Sequence, residues 1–282
     1  MKKYGIVTDS TAYFSKEDLK KFDIYQASLN IIDKDQSFKE LDVDNKFVRD
    51  KINSGHRLTT SQPAPGEFLE IYEDLLKKGY ERIFVVTLSK PLSGTYQSAK
   101  LAQNMLEDQS KVHVFESKMA AFGNEMLIER IYDLMVLDTE FEDIITQVTK
   151  LNSNSHLAIT VEDLISLFKS GRVSKTKAAI GTVLRVKPIL NMEDGKLLIY
   201  KSARSHKKVI AEMLELMKST TKGYKKLFVR VQSKNNLEQA NQIVDMVKEA
   251  FKDAAITFND YIGPVFSVHI GPKGYGVAWC WE

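Results

Sequence analysis

Leu88-Ser89-Lys90-Pro91-Leu92-Ser93-Gly94-Thr95-Tyr96-Gln97-Ser98-Ala99 joins a strand to a helix and points to an α/β fold. The run before it, Arg82-Ile83-Phe84-Val85-Val86-Thr87, is β-branched and aromatic and reads as a buried strand. From Tyr96 to Leu106 the composition is helix-forming, with Ala99, Ala102 and Leu106 on one face. The join is a hydroxyl-rich turn in which Ser93 is the expected N-cap and Gly94 leaves the backbone uncovered. Open α/β sheets place ligands where a strand's carboxyl end runs into a helix start. Free N–H groups and the helix dipole favour an anion there. The turn is expected to hold a small negative group.

Outward from this stretch, strands and helices alternate. On its amino-terminal side, Tyr4 to Val7 and Ile24 to Ile32 read as strands, and Ser15 and Asp44 as helix caps. Pro65 suits the first turn of the helix leading into the Ile83 strand, because its missing N–H costs nothing there. Val112 to Phe115 is the next strand, followed by helices near 119–137 and 142–151. Asn152-Ser153-Asn154-Ser155 is the expected boundary, giving domains 1–154 and 155–282. In the second half, His156 to Val161 is a strand, and the helix after it stops at Gly171. Ser174 is read as the cap of another helix with Ala178, Ala179, Val183 and Leu184 on its apolar side. Asp194-Gly195 turns a β-hairpin, and Ser205 opens a long helix. Strand, helix and strand then follow at 226–232, 237–251 and 255–258. The pattern predicts two α/β domains with largely parallel sheets.

Composition narrows the function. Hydrophobic residues make up 43% and charged residues 27% of the 282, the balance of an ordinary globular protein. A formal charge of +3 is too small for a nucleic-acid binder. The single cysteine, Cys280, excludes an internal disulfide and suits a reducing, cytoplasmic setting. No run is long and apolar enough for a membrane span, so membrane contact is expected to be transient at most. The five histidines are scattered with no i, i+4 pair, and no metal site is expected.

Three hydroxyl turns, at Thr8 to Thr11, Thr59 to Ser61 and Ser93 to Thr95, adjoin strand ends or helix starts. In a parallel sheet the three can converge on one crevice. Taken singly, each is explained as an ordinary cap. Neutral hydroxyls with backbone amides suit a carboxylate, whereas a polyphosphate calls for a Gly-rich loop with Lys, which is absent. A hydrolase using Ser93 with His269 and Asp9 is the rival, although Ser93 is not in a Gly-x-Ser-x-Gly elbow. His269 ends an apolar strand-like run, Val265 to Val268, and reads either as a core histidine or as a donor to the same anion. The basic run from Lys169 to Lys177, continued by Arg185, Lys187, Arg204, Lys207 and Lys208, reads as solvated helix faces. Arg172, on its Gly-opened turn, is placed to meet an anionic partner.

These motifs resemble the DegV family of bacterial proteins over essentially the whole chain. The matching segments are Thr8-Asp9-Ser10-Thr11, Thr60 to Phe68, Leu92 to Ala99, Gly171-Arg172-Val173-Ser174, Lys187-Pro188-Ile189-Leu190 and His269-Ile270-Gly271-Pro272. The resemblance implies a two-domain α/β protein enclosing one long-chain fatty acid, with no other cofactor. It implies service as the fatty-acid-binding subunit of a fatty acid kinase, whose separate protein holds ATP and phosphorylates the acyl carboxylate. A lipid-sensing regulator is the other role it suggests. Carried onto this chain, Thr60, Ser61, Ser93, Gly94, Thr95 and His269 would bind the carboxylate, while Arg172 and Arg204 would face the kinase. The chain departs from the family's pattern at Ser170, Glu116 and Lys273.

Overall fold

The computed structural model describes residues 4–173 and 186–282. The helix expected after Ser174 lies outside the described residues. A four-stranded sheet is built from β1 (Tyr4–Asp9), β2 (Ile24–Ala27), β6 (Arg82–Thr87) and β7 (Val112–Glu116), in the order β2-β1-β6-β7 with every pairing parallel. Every residue of β1 is buried, as expected for a parallel strand covered on both faces. Chain order reverses between β1 and β6, the switch point at which such sheets form a crevice.

The predicted strand from Ile24 to Ile32 is two strands. Its second part, β3 (Asn30–Asp33), leaves the parallel sheet and pairs antiparallel with β4 (Gln36–Lys39) and β5 (Leu58–Ser61). The Thr59 to Ser61 hydroxyls therefore stand on a strand, not in a turn.

The second large sheet has the order β10-β9-β8-β13-β11-β12, from β8 (His156–Val161), β9 (Lys187–Glu193), β10 (Lys196–Ala203), β11 (Leu227–Lys234), β12 (Ala255–Asn259) and β13 (Gly274–Trp281). Here the expectation of largely parallel sheets is corrected. Only β11 and β12 pair parallel, and the remaining pairings are antiparallel. The physical reason is the hairpin at Asp194-Gly195 together with the carboxyl-terminal strand β13, which inserts between β8 and β11 and runs opposite to both. Helix–strand alternation cannot reveal that insertion.

Helices complete the layers. Outside the parallel sheet lie α3 (Pro65–Lys77) and α4 (Thr95–Met105), packed through Phe68, Tyr72, Ala99 and Ala102. Between the two large sheets lie α5 (Phe122–Val136) and α6 (Phe141–Ser153), whose buried faces join one apolar core reaching from Ile6 and Phe84 to Leu157 and Cys280. On the far face of the antiparallel sheet lie α8 (His206–Thr220) and α9 (Leu237–Ala250), around Val209, Met213, Ile243 and Trp279. The shorter helices are α1 (Lys16–Lys21), α2 (Asn45–Asn53), α7 (Leu164–Ser170) and α10 (Pro264–Ile270). Ser15, Asp44 and Ser205 cap α1, α2 and α8 as expected, each accepting a backbone N–H three residues on. Among the described residues, no helix is long and apolar enough to cross a membrane.

Candidate functional site

The Val265 to Val268 run, read as strand-like, lies in the helix α10. Pro264 stands at its first position, where a proline favours helix entry, and packing overrides the β-branched composition. Val265, His269 and Ile270 are all buried. Three contacts hold this helix. The Glu40 carboxylate accepts from the Val265 N–H at 2.8 Å, from Ser10 Oγ at 2.5 Å and from the Tyr13 hydroxyl at 3.1 Å. The Lys234 ammonium donates to Ser267 Oγ, which in turn donates to Asn45 Oδ1. The Asn45 amide donates to the Ile262 carbonyl at 2.7 Å. Burial pushes the Glu40 carboxyl up to about 7, against those donors. It pushes the Lys234 ammonium down to about 8, with Arg49 nearby adding to the effect.

So anchored, α10 delivers His269 to β5. His269 Nε2 lies 2.8 Å from Thr60 Oγ1. The ring is only 7% exposed, and its Nδ1 has no hydrogen-bond partner among the described residues. Burial, reinforced by the Arg172 guanidinium, holds its pKa down at about 4, so the imidazole is neutral at physiological pH. A buried, unpartnered ring nitrogen in a polar corner is the feature a bound ligand would satisfy.

Around this pair is a partly open pocket of about 110 Å³. Thr60, Ser61, Gln62, Ser93, Gly94, Arg172 and His269 are among its polar lining. Leu88, Leu92, Phe122, Leu157, Leu167, Met192, Leu197 and Phe266 are among the apolar residues that supply the rest. The walls thus come from both sides of the 154/155 position. Arg172 Nη1 and Nε donate to the carbonyls of Ser170 and Leu92 at 2.6 and 3.3 Å. Among the described residues no carboxylate neutralises it.

Not every expected residue reaches the pocket. Ser93 is not the cap of α4; Gly94 is, and the Ser93 hydroxyl instead lies 2.9 Å from Thr95 Oγ1. Thr95 is fully buried behind Ser93 and does not line the pocket. Arg204 is exposed and is also absent from the lining. Of the three hydroxyl turns, two converge. The Thr8 to Thr11 turn does not, because its groups are engaged elsewhere: Asp9 accepts from the Thr11 N–H and hydroxyl and from the Leu88 N–H, Thr8 donates to the Val86 carbonyl, and Ser10 donates to Glu40. That arrangement also disposes of the imagined triad, since Asp9 engages Thr11 and Leu88 while His269 Nε2 engages Thr60. No group of three or more His, Cys, Asp or Glu fit to hold a metal occurs among the described residues.

Sequence reasoning missed Gln62, although it adjoins Thr60-Ser61, and Glu40, whose role is visible only once α10 is seen to be a helix. The apolar lining carried no signal at all, because Leu, Phe and Met on a pocket wall have the same periodicity as core.

The fold and the pocket define an α/β protein whose apolar-walled cavity ends in a polar corner of hydroxyls, the His269 ring and the Arg172 guanidinium. Comparison with known proteins gives the family. A family model described as "Uncharacterised protein, DegV family" matches residues 3–282. A DegV domain-containing protein of Staphylococcus aureus (strain COL) is 31% identical over 280 residues, covering 98% of this chain and 97% of that protein. The crystal structure of DegV from Bacillus subtilis, described as a fatty acid binding protein, is 28% identical with a TM-score of 0.85, covering all of both chains. A fatty-acid-binding DegV family protein from Thermus thermophilus shares the fold at a TM-score of 0.89, with 23% identity over 99% of this chain and 100% of that one. The chain belongs to the DegV family.

Proposed function

We propose that this protein binds one long-chain fatty acid in the pocket and, in the cytoplasm, presents its carboxylate to a separate ATP-holding fatty acid kinase for conversion to the acyl phosphate. The pocket supports this reading by its polarity: apolar walls ending at the Thr60–His269 pair, with one ring nitrogen left free. Its likeness to the Bacillus subtilis fatty acid binding protein supports the same guest. The carboxylate would meet Thr60, Ser61, Ser93, the Gly94 backbone and His269, with Thr95 holding Ser93. Arg172 would add positive potential without forming a fixed ion pair, and with Arg204 would meet the kinase.

Magnitudes divide the labour. A tail of about fourteen methylenes, at about 0.8 kcal/mol each, offers roughly 11 kcal/mol of transfer free energy. Hydrogen bonds to the charged head add about 1.5–3 kcal/mol each before desolvation. The tail supplies most of the affinity and the hydroxyls set orientation, which phosphoryl transfer requires. Native mass spectrometry of the purified protein tests the binding step, and acyl-phosphate formation with kinase and ATP tests the second. A protein that is empty and cannot take up fatty acid refutes the reading.

A further inference from the structure

A second cleft, of about 180 Å³, opens at the edge of the antiparallel sheet where β8 ends and β9 and β13 begin. Lys187 at the start of β9, Lys273 just before β13, His206 at the start of α8 and Asn236 just before α9 all line it. Four residues with nitrogen-bearing side chains, from four separate places in the chain, thus line one cleft. Among the described residues neither lysine has an ion-pair partner. His206 Nδ1 lies 2.8 Å from the Tyr275 hydroxyl, leaving Nε2 without a partner among the described residues, and the Asn236 amide also donates to Gln239 at 3.1 Å. One carboxylate, Glu162, is on the wall, and Glu238 lies close enough to act on His206. The two ammonium groups outnumber the lining acid, and their charges act together on the same imidazole.

The cleft is not part of the acyl pocket, but the two share a partition. Thr160, Val161, Gly274 and Tyr275 line both. We propose that this cleft binds a phosphate-class oxyanion, independently of the carboxylate at Thr60 and His269. A tetrahedral anion offers acceptor oxygens in several directions, which suits donors drawn from four places in the chain, and lysines recognise phosphate as point charges. Inorganic phosphate and a phosphomonoester share this chemistry.

The test is calorimetric titration of the full chain with inorganic phosphate at low ionic strength, repeated on Lys187→Gln/Lys273→Gln and Lys187→Arg/Lys273→Arg double variants with folding checked by thermal unfolding. Saturable binding is expected, weakened by about tenfold or more in the glutamine pair and retained in the arginine pair. Bound fatty acid, read separately by native mass spectrometry, should be unchanged, because neither lysine lines the acyl pocket. Titration with AMP separates the sources: tighter binding than phosphate assigns the cleft to a phosphomonoester, and equal binding to the free anion. No saturable binding of either probe, or binding undiminished in the glutamine pair, overturns the proposal.

Discussion

Thr60 Oγ1 and His269 Nε2 lie 2.8 Å apart although 209 residues of chain separate them. One stands on a strand of the small antiparallel sheet and the other near the end of a seven-residue helix. Their contact joins the two halves of the chain at the polar corner of the pocket, so a change at either residue is felt at that corner.

Thr60→Val removes a neutral hydroxyl but keeps the shape. The lost hydrogen bond to the charged head is worth about 1.5–3 kcal/mol, so fatty-acid affinity should fall by roughly ten- to a hundredfold. Turnover with the kinase should fall further, because head-group orientation is lost while tail burial is kept. Equal losses in binding and turnover would show that the hydroxyl contributes uniform affinity only.

How much of this corner was legible in the sequence follows from what each residue's signal depends on. Ser93 and Gly94 announce themselves as a hydroxyl beside a bare glycine at a strand–helix junction, and Thr60 and Ser61 as hydroxyls just before the Pro65 helix start. The parallel sheet is likewise local, since each strand and its crossover helix adjoin in sequence. Glu40 is not legible. Its partners, Ser10 and Tyr13 in one loop and Val265 on α10, come from two distant segments, and an acid in a polar connection looks solvated. The antiparallel second sheet was hidden for the same reason, because strand insertion is a long-range choice.

Two buried groups near α10 set opposing pH dependences. Glu40 titrates at about 7 instead of 4.5, so its folded form binds more protons and its contribution falls as pH rises through that window. His269 titrates at about 4 instead of 6.5, so the unfolded form binds more protons and stability rises with pH across that window. Glu40→Gln removes the first effect alone. Measured by urea midpoints at about pH 5 and about pH 7, the variant should gain stability relative to the parent as pH rises. A pH-independent difference would show that Glu40 titrates normally.

Removing the ligand should lower thermal stability by mass action. At a free ligand concentration of about 100 times Kd the native state gains about 2.7 kcal/mol, so a delipidated sample should melt several degrees lower and recover on adding fatty acid. An unchanged melting temperature would mean that the acyl chain does not bind the folded state preferentially.

Arg230 on β11 ties the middle helical layer to the antiparallel sheet. Its Nε lies 2.6 Å from Glu125 Oε2 and its Nη1 2.6 Å from Glu129 Oε1, while Glu125 also accepts from the Tyr13 N–H at 2.8 Å. Glu125 is fully buried and Arg230 nearly so. Arg230→Met strands the Glu125 charge and should destabilise by about 3–5 kcal/mol in chemical denaturation. Adding Glu125→Gln should restore much of that loss. Failure of the second change to help would mean that shape, and not charge, dominates at this site.

Gly263 is required by space and not by backbone conformation, since its φ of −76° is open to any residue. A Cβ built there would lie 2.2 Å from Tyr13 Cε1 and 2.8 Å from Cζ. Tyr13 is buried, stacked edge-on against Phe266 and bonded through its hydroxyl to Glu40, so the ring cannot step aside without loosening the carboxylate that holds Val265. Gly263→Ala should therefore displace α10 and carry His269 away from Thr60. The expected readout is a fatty-acid affinity reduced more than by Thr60→Val, together with a lowered melting temperature. Tyr13→Leu combined with Gly263→Ala should relieve the clash and recover part of the binding; no recovery would place the fault elsewhere than at this contact.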